Sequence, residues 1–348
     1  MKIGFVVNDV QTEKAAYTTT RLAMAAINHG HEAWTLGVAD FVYAPEGDIY
    51  AYARSVKGKE YDALEPFLAE LQGEQARVEK IGVSDLDVLM LRNDPSEDTA
   101  DRAWAQTSGI LFGQLAASHG VIVLNDPVNL ANALNKTYFQ HFPEAVRPRT
   151  CISRNPADIK EFIAQEKGRA VIKPLQGSGG HSVFLIKDGD TANTNQMIEA
   201  VIRDGYCIAQ EYLPAAVEGD VRLFVMNGRP LKKDGKYAAF RRINKSGDMR
   251  SNMHSGGESE PAEIDRAALR LVEMVRPKLL ADGMYLVGLD IVKDKLMEIN
   301  VFTPGGLGSA QAATGVDFAE VVIHDLERKV RSKRHYGGHI SNVQIATL

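Results

Sequence analysis

Two carboxylates and one amide stand at a spacing that could hold a metal ion. Two short apolar runs within 286–301 flank a polar turn, and this pattern predicts a β-hairpin. If the turn centres on Asp294, Asp290 lies directly opposite Glu298. Asn300 then points to the same face, because side chains alternate along a strand. Such oxygen ligands suit Mg²⁺ with phosphate, so the hairpin predicts a magnesium–nucleotide site.

The alternative for this hairpin is an ordinary sheet edge whose acids face water, as most charged side chains do. The choice depends on register. A slip of one residue would put Asp290 and Glu298 on opposite faces and destroy the site.

A second stretch has the composition of a phosphate-binding loop. Lys173 ends an apolar run and can supply a point charge for phosphate. The loop that follows can bring backbone N–H groups close to phosphate oxygens, because its glycines lack side chains; it includes Gly177, Ser178, Gly179 and Gly180. It contains no GxxxxGK[ST] pattern, and the alternative is a glycine-rich hairpin turn. Lys136 falls on a predicted amphipathic helix, 130–142, where a lysine is normally solvated.

Other polar stretches follow predicted strands. The strand at 86–91 ends in a loop with Arg92 and Asp94, a candidate substrate wall because ligands bind beyond the carboxyl ends of such strands. The alternative is a helix N-terminus capped by Ser96. The loop 245–257 is long, basic and glycine-containing, which fits a substrate loop as well as an inert one.

The pattern of predicted elements around these groups indicates an open α/β domain at the start of the chain. A strand at 2–7, a helix at 18–29 and a strand at 31–36 follow one another. No GxGxxG follows the first strand, so a dinucleotide site is not supported. The break at Asn125-Asp-Pro127 is the first predicted domain boundary, and 301–309 is predicted to be a glycine-rich loop.

Bulk properties exclude several classes of protein. The 348 residues carry a net charge of −5, which argues against a general nucleic-acid binder. We find no signal peptide and no run long enough to span a membrane. Cys151 and Cys207 form no CxxC, so we expect a reducing, cytoplasmic setting.

Taken in order, these motifs resemble the ATP-grasp carboxylate–amine ligases, most closely the bacterial-type glutathione synthetases. The motifs are Lys136, Lys173-Pro, Gln-Gly-Ser-Gly-Gly at 176–180, Gln210-Glu-Tyr-Leu-Pro, Gly219-Asp-Val-Arg222, Arg241, Arg250-Ser-Asn252 and Asp290…Glu298-Ile-Asn300. The resemblance implies an α/β protein, with an ATP-grasp fold preceded by an open α/β N-terminal domain. The expected divisions are 1–125 on the substrate side, 126–213 as the small lid subdomain, 214–330 as the catalytic subdomain and 331–348 as a polar tail.

The resemblance also implies a role for each motif residue. Nucleotide binding would involve Lys136, Lys173, Gly177, Ser178, Gly179, Gly180, Gln210, Glu211, Tyr212, Leu213 and, at the ribose, Asp220. Mg²⁺ would be held by Asp290, Glu298 and Asn300. The transferring phosphoryl group and the acyl phosphate would be stabilised by Arg222, Arg241 and Arg250 with Asn252. Arg92 and Asp94 resemble the family's substrate loop.

The implied reaction joins a carboxylate to an amine through an acyl phosphate, with γ-glutamylcysteine, glycine and ATP as the small-molecule substrates. Family members often assemble as oligomers, so a homo-oligomer is allowed. One departure affects the substrates: the family has an arginine soon after the hairpin, and here none follows until Arg328. Backbone N–H groups near Gly305, Gly306 and Ser309 could bind a carboxylate instead.

The alternatives are an ATP-grasp ligase for another carboxylate and amine, or a nucleotide-binding protein without catalysis. The retained acids and lysines argue against the latter. We expect Asp290→Asn to reduce turnover greatly with little loss of fold.

Overall fold

The computed structural model describes residues 1–98, 100–177, 182–187, 191–243 and 258–348. The N-terminal part is a mixed sheet. Its strands are β1 (Lys2–Val7), β2 (Glu32–Gly37), β3 (Phe41–Tyr43), β4 (Ile49–Ser55), β5 (Arg77–Gly82), β6 (Val88–Leu91) and β7 (Ile122–Leu124). They run in the order β3-β4-β2-β1-β6-β7, with β5 beside β4. The pairs β1–β2, β1–β6 and β6–β7 are parallel, as the strand–helix–strand opening predicted.

Helices α1 (Thr18–Asn28), α2 (Leu64–Gln72) and α3 (Ala105–Ser118) accompany this sheet. The predicted helix at 18–29 and strands at 2–7 and 31–36 are confirmed to within one residue. Helix α1 packs because Leu22, Ala26 and neighbouring small residues lie on one buried stripe at helical spacing.

A four-stranded antiparallel sheet comes next and has its own small core. Its strands are β8 (Thr150–Ser153), β9 (Ala170–Pro174), β10 (Phe184–Ile186) and β11 (Cys207–Glu211), in the order β10-β9-β11-β8. Helices α5 (Pro156–Gln165) and α6 (Thr191–Arg203) contribute Ile159, Phe162 and Ile198 to that core. This compact unit carries the predicted phosphate-binding segment on β9.

The third sheet contains the predicted hairpin. Its strands are β12 (Asp220–Met226), β13 (Arg229–Pro230), β16 (Ala239–Ile243), β17 (Glu258–Glu260), β18 (Leu286–Val292) and β19 (Lys295–Asn300). A separate short ribbon is formed by β14 (Lys232–Lys233) and β15 (Lys236–Tyr237). Helix α7 (Arg266–Ala281) packs through Leu271, Val275 and Leu279 into the core that holds Val287 and Leu289. Strand β18 is buried at all seven positions, so the hairpin is central and not a solvated edge.

Helices α8 (Leu307–Thr314) and α9 (Ala319–Tyr336) join the third sheet to the N-terminal sheet. Phe224 and Phe240 share one continuous core with Leu307, Val322 and the residues of β1 and α1. The N-terminal part and the hairpin are therefore held against each other by a common hydrophobic core.

The predicted helix at 130–142 is wrong. Helix α4 (Pro127–Leu130) ends after four residues, and 3₁₀ turns follow on both sides of Asn135. Asn135 has extended backbone angles, φ −144° and ψ 171°, and its side chain accepts a hydrogen bond from the Thr137 amide. Such local side-chain bonds compete with helix formation. The break turns Lys136 toward the phosphate-binding segment, where its backbone N–H donates to the Leu175 carbonyl at 3.1 Å.

The C-terminal segment packs onto the fold. Helix α9 runs through the expected boundary at 330, and α10 (Asn342–Ala346) follows. Ile345 is buried, and the buried Lys329 ammonium donates to its carbonyl at 3.1 Å. Among the described residues, no helix is long and apolar enough to cross a membrane.

Candidate active site

The hairpin brings its three polar residues onto one face. Asp290 pairs with Glu298 and Gly288 pairs with Asn300, so the predicted register is confirmed. The turn, however, is shorter than expected, because Val292 pairs directly with Lys295. A bulge between Asp290 and Ile291 restores the register by accommodating one extra residue on β19. Without that bulge, Asp290 would face Met297 and the two carboxylates would point to opposite sides.

Asp290 is buried and held by two arginines. The Arg222 Nε and Nη2 atoms both donate to its carboxylate, the latter at 2.9 Å, and the Arg242 Nη2 atom lies 2.8 Å from Oδ2. Asn300 Nδ2 donates to the same oxygen at 3.2 Å. Burial alone would raise the pKa of Asp290, but the charges of Arg222 and Arg242 outweigh it and lower the pKa to about 2.

The arginine pair corrects one predicted catalytic residue. Arg241 is exposed and pairs with Val221, whereas its neighbour Arg242 is buried and pairs with Asp220 across the sheet. Arg242 bonds the Asp220 carboxylate as well as Asp290. Because successive residues of a strand face opposite sides, Arg242 is the arginine on the site face and Arg241 is not. Arg250 and Asn252 lie outside the described residues.

Two lysines face the hairpin from the other side. Lys173 on β9 donates to Gln210 Oε1 at 3.0 Å, and the Lys136 ammonium donates to the Gly177 carbonyl. Neither lysine forms a salt bridge with a carboxylate in the described part of the chain. Burial lowers the pKa of Lys173 to about 8, against the attraction of Glu298. A half-buried ammonium without a salt bridge can gain a phosphate partner. Ser178, Gly179 and Gly180 are outside the described residues.

The predicted adenine segment lines the cavity on β11 and just beyond it, with Gln210, Glu211, Tyr212 and Leu213 in the wall. Glu211 is held by Arg149, the residue before strand β8: its N–H donates to the Arg149 carbonyl at 2.9 Å, and its carboxylate accepts from the Arg149 N–H at 3.0 Å. Asp220, the predicted ribose ligand, is also in the wall, but its carboxylate is buried and bonded to Arg242. Its ribose role stays a prediction.

The predicted substrate loop reaches the opposite end of the same cavity. Arg92 is buried, and it donates to Thr19 Oγ1 at 3.3 Å and to the Pro304 carbonyl at 3.2 Å. Asp94 also lines the cavity, and its carboxylate accepts from the Ser96 N–H at 2.9 Å. Asp94, and not Ser96, therefore makes the turn that begins this loop.

Glu13 is a cavity residue that sequence reasoning missed. It lies near Arg92, and the Thr20 hydroxyl donates to its carboxylate at 3.4 Å. Burial raises the pKa of Glu13 to about 7, although the Arg92 charge lowers it. No motif surrounds Glu13, and its distance in sequence from Arg92 left no local signal.

The predicted glycine-rich loop after the hairpin is partly helical, because α8 begins at Leu307. Gly305, Gly306 and Ser309 line the cavity as expected, but Ser309 stands in the first turn of α8. Gly306 is in the left-handed region with φ +96°, and a Cβ there would lie 2.5 Å from Phe240 Cζ. The N-terminus of α8 thus lies at this wall, and its first N–H group, that of Leu307, donates to Thr18 Oγ1 at 3.3 Å.

Asn125 was predicted only as part of a domain boundary, and its contact with the hairpin was missed. Its side-chain oxygen accepts from the backbone N–H groups of Tyr285 and Leu286, at 2.7 and 3.0 Å. Its amide donates to the carbonyl of Val301, at the far end of the hairpin. One buried side chain thus holds together the start of β18 and the residue that follows β19, at the open end of the hairpin.

These walls enclose one cavity of about 530 Å³, a size typical of small-molecule sites. The two lysines, the three hairpin residues and Arg92 line it together. Residues 1–130 match the N-terminal domain of prokaryotic glutathione synthetase, and 135–315 match the ATP-grasp domain of the same family.

The chain belongs to the prokaryotic glutathione synthetase family. It is an ATP-grasp ligase, and ATP-grasp enzymes use ATP with Mg²⁺. It is 30% identical to the glutathione synthetase of Salmonella typhimurium (strain LT2), over 95% of this chain and 99% of the relative. It is 28% identical to that of Escherichia coli (strain K12), over 96% of this chain and 100% of the relative.

Two solved structures share the fold of this chain at low sequence identity. The D-cycloserine synthetase DcsG superposes with a TM-score of 0.60 at 14% identity, covering 93% of this chain and 99% of that one. The ATP-grasp ligase PsnB, complexed with a minimal precursor, Mg and ADP, gives 0.58 at 16% identity, covering 94% and 98%. At these identities the likeness shows the ATP-grasp fold alone.

Proposed function

We propose that this ligase makes glutathione from γ-glutamylcysteine and glycine, with ATP converted to ADP and phosphate. The supporting observation is a single cavity with two different ends. One end carries lysines that can bind phosphate, and the other carries both a cation and a carboxyl group. Lys136 and Lys173 stand at the first end, and Arg92 with Glu13 stands at the second. The reacting carboxylate would lie between them, beside Arg222 and the hairpin.

The lysines would hold the nucleotide phosphates. Lys173 has only a neutral hydrogen-bond acceptor, Gln210, among the described residues, and phosphate oxygens would compensate its half-buried charge. Gln210, Glu211, Tyr212 and Leu213 would contact the adenine, since they form the cavity wall next to β9. Gly177, with Ser178, Gly179 and Gly180, would cover the phosphates.

Mg²⁺ fits the hairpin, because Glu298, Asp290 and Asn300 offer the hard oxygen ligands that it prefers. When bound, Mg²⁺ would neutralise charge on the phosphates. The residues are unequal, however. The charge of Asp290 is already balanced by Arg222 and Arg242, whereas Glu298 forms no salt bridge with any described residue. Glu298 is therefore the carboxylate with most to gain from a cation.

The chemistry would proceed in two displacements. A carboxylate oxygen of γ-glutamylcysteine attacks the γ-phosphorus of ATP, and the bond to ADP breaks. The glycine nitrogen then attacks the acyl carbon of the acyl phosphate, loses a proton and expels phosphate. Arg222 and Arg242 would stabilise the charge on the transferring group, with Arg250 and Asn252 completing the set. Catalysis of this kind rests on positioning and charge neutralisation.

The substrate end would recognise a zwitterionic peptide. Arg92 offers a buried cation and Glu13 a half-buried carboxyl group, while Asp94, Gly305, Gly306 and the first turn of α8 at Ser309 complete the wall. Arg92 would pair with a substrate carboxylate and Glu13 with an ammonium group, since each lacks a salt bridge to the described residues.

We also propose that each part of the chain has the role expected from the sequence. Residues 1–125 would supply the substrate side, 126–213 the lid side and 214–330 the catalytic hairpin, with 331–348 closing the fold. We place the reaction in the cytoplasm, where ATP and thiol substrates are both present.

The direct test is Mg²⁺- and ATP-dependent phosphate release with γ-glutamylcysteine, with and without glycine, together with mass spectrometry of the product. We expect release that requires both substrates and a tripeptide product. Absence of both, with ATP still bound, would overturn the substrate assignment and leave the ATP-grasp ligase standing. The uncharged wall at 305–309 favours a different carboxylate–amine pair as the second candidate.

A further inference from the structure

A cluster of metal-binding side chains lies far from the ligase cavity, where helix α1 meets helix α9. His29 follows the last turn of α1, and Glu320 and His324 stand four residues apart on α9. One ligand atom from each lies within 4.8 Å of the others. The spacing on α9 places both side chains on one helical face, directed at His29.

The ligand types indicate a borderline transition metal. Two imidazoles and one carboxylate suit Zn²⁺ and its neighbours and do not suit Mg²⁺, which prefers oxygen. Tetrahedral ligands about 2.0–2.1 Å from zinc lie about 3.4 Å apart, so modest side-chain rotation would close this cluster around an ion. A fourth position would remain for water.

The groups around the cluster already orient its ligands. The His29 Nδ1–H donates to the Ala25 carbonyl at 2.8 Å, which leaves the Nε2 lone pair for a metal. The Lys233 ammonium donates to Glu320 Oε2, which leaves the other carboxylate oxygen available. Metal-binding histidines and carboxylates commonly have such hydrogen-bonded partners.

From these contacts we infer a Zn²⁺-type site formed by His29, Glu320 and His324 that links the N-terminal part of the chain to the last long helix. It is distinct from the cavity. Thr18 and Thr19, at the start of α1, line the cavity, whereas His29 is a full helix length away, about 16 Å. The ion would bind the folded chain, because α1 and α9 come together only there, and would stabilise it.

The test uses metal-stripped full-length protein, with Zn²⁺ titrated in excess Mg²⁺ and followed by thermal unfolding and calorimetry. For the wild-type protein we expect one bound Zn²⁺ and a rise in Tm. His324→Ala should weaken Zn²⁺ binding more than about 10-fold and remove the Tm rise. His324 is exposed, so this variant should fold. His335→Ala, on the exposed end of the same helix, is the matched control and should bind like the wild type.

Co²⁺ provides a second readout that does not depend on stability. We expect visible absorption bands of four-coordinate Co²⁺ in the wild type and in His335→Ala, and none in His324→Ala or His29→Ala. Equal binding by all four proteins, or no binding by the wild type, would overturn the proposal. Ligase activity in the absence of Zn²⁺ tests the proposed function separately.

Discussion

The two ends of the cavity are built differently. The nucleotide end comes mainly from two strand pairs, β9 with β11 in one sheet and β18 with β19 in another, each pair joined by a hydrogen-bonded ladder. The substrate end comes from three distant segments: 13–19, 92–97 and 303–309. The first is a regular ladder that places side chains by alternation, and the second is an assembly of loops and helix ends.

The electrostatics differ as well. At the hairpin, Asp290 is balanced inside the protein by Arg222 and Arg242. Lys173 and Glu13 are not balanced in the same way, and burial shifts their pKa values to about 8 and about 7 respectively. The Asp290 carboxylate therefore belongs to the internal scaffold, whereas Lys173 and Glu13, which form no salt bridge with a described residue, indicate the charges that a ligand must bring.

Asp290→Asn gives the largest expected effect. Loss of the carboxylate leaves Arg222 and Arg242 without their shared partner, which should cost about 3–5 kcal/mol of unfolding free energy. Turnover should fall by about 100-fold or more, as for loss of a key electrostatic group. The buried pair thus revises our expectation that the fold would be spared. Denaturant unfolding and phosphate release measure the two effects, with exposed Asp294→Asn as the control. An unchanged unfolding free energy would contradict the scaffold role.

Glu298→Gln should separate function from stability. Since Glu298 forms no salt bridge with a described residue, we expect its unfolding free energy to change by less than about 1 kcal/mol. Turnover should nevertheless fall strongly, and the Mg²⁺ concentration needed for half-maximal rate should rise. The same assays compare it with Asp290→Asn, and equal destabilisation of both variants would remove the distinction between them.

Lys173 predicts a pH effect on nucleotide binding. Burial lowers its pKa to about 8, so the free protein loses this proton as pH rises through 8. Phosphate favours the charged form, so above pH 8 ATP binding should take up a proton and weaken with rising pH. Calorimetry in buffers of different ionisation enthalpy measures this uptake. Lys173→Met should bind ATP more weakly and without proton uptake. Proton uptake that persists in that variant would point to another titrating group.

Glu13→Gln tests the substrate end. The pKa of Glu13 is raised to about 7, so its charged form increases between pH 6 and 8 and should attract a substrate ammonium group. The wild-type KM for the peptide substrate should therefore fall over this range. In the variant, KM should be about 10-fold higher at pH 8 and nearly independent of pH, with ATP affinity unchanged. A matching pH profile in both proteins would exclude this role.

Gly306→Ala changes no charged group and should therefore have the smallest effect on turnover, and it tests the geometry of the substrate wall. The residue has φ +96°, and the new Cβ would meet the Phe240 ring, so we expect a loss of about 1–3 kcal/mol of unfolding free energy. Gly305→Ala is the matched control for stability, because nothing lies within 4 Å of its Cβ. Equal stability of the two variants would show that α8 shifts freely.

Sequence reasoning worked best where periodicity applies. It predicted the pairing of Asp290 with Glu298, although the turn was shorter than assumed and a bulge corrected the count. The family resemblance pointed to Arg241 instead of Arg242, and which of the two faces the site depends on where the strand enters the sheet. It also extended a helix over Lys136, where the Asn135 side chain breaks it.

The sequence by itself determined the ATP-grasp family, the strand–helix–strand opening, the hairpin that holds Asp290, and the residue types that could hold phosphate and Mg²⁺. These follow from local patterns and from motifs written in consecutive residues. Only the tertiary structure placed Glu13 beside Arg92, tied both ends of the hairpin to Asn125 and brought His29 to α9. Those contacts join segments far apart in the chain, and packing of the shared core, not local propensity, decides which segments meet.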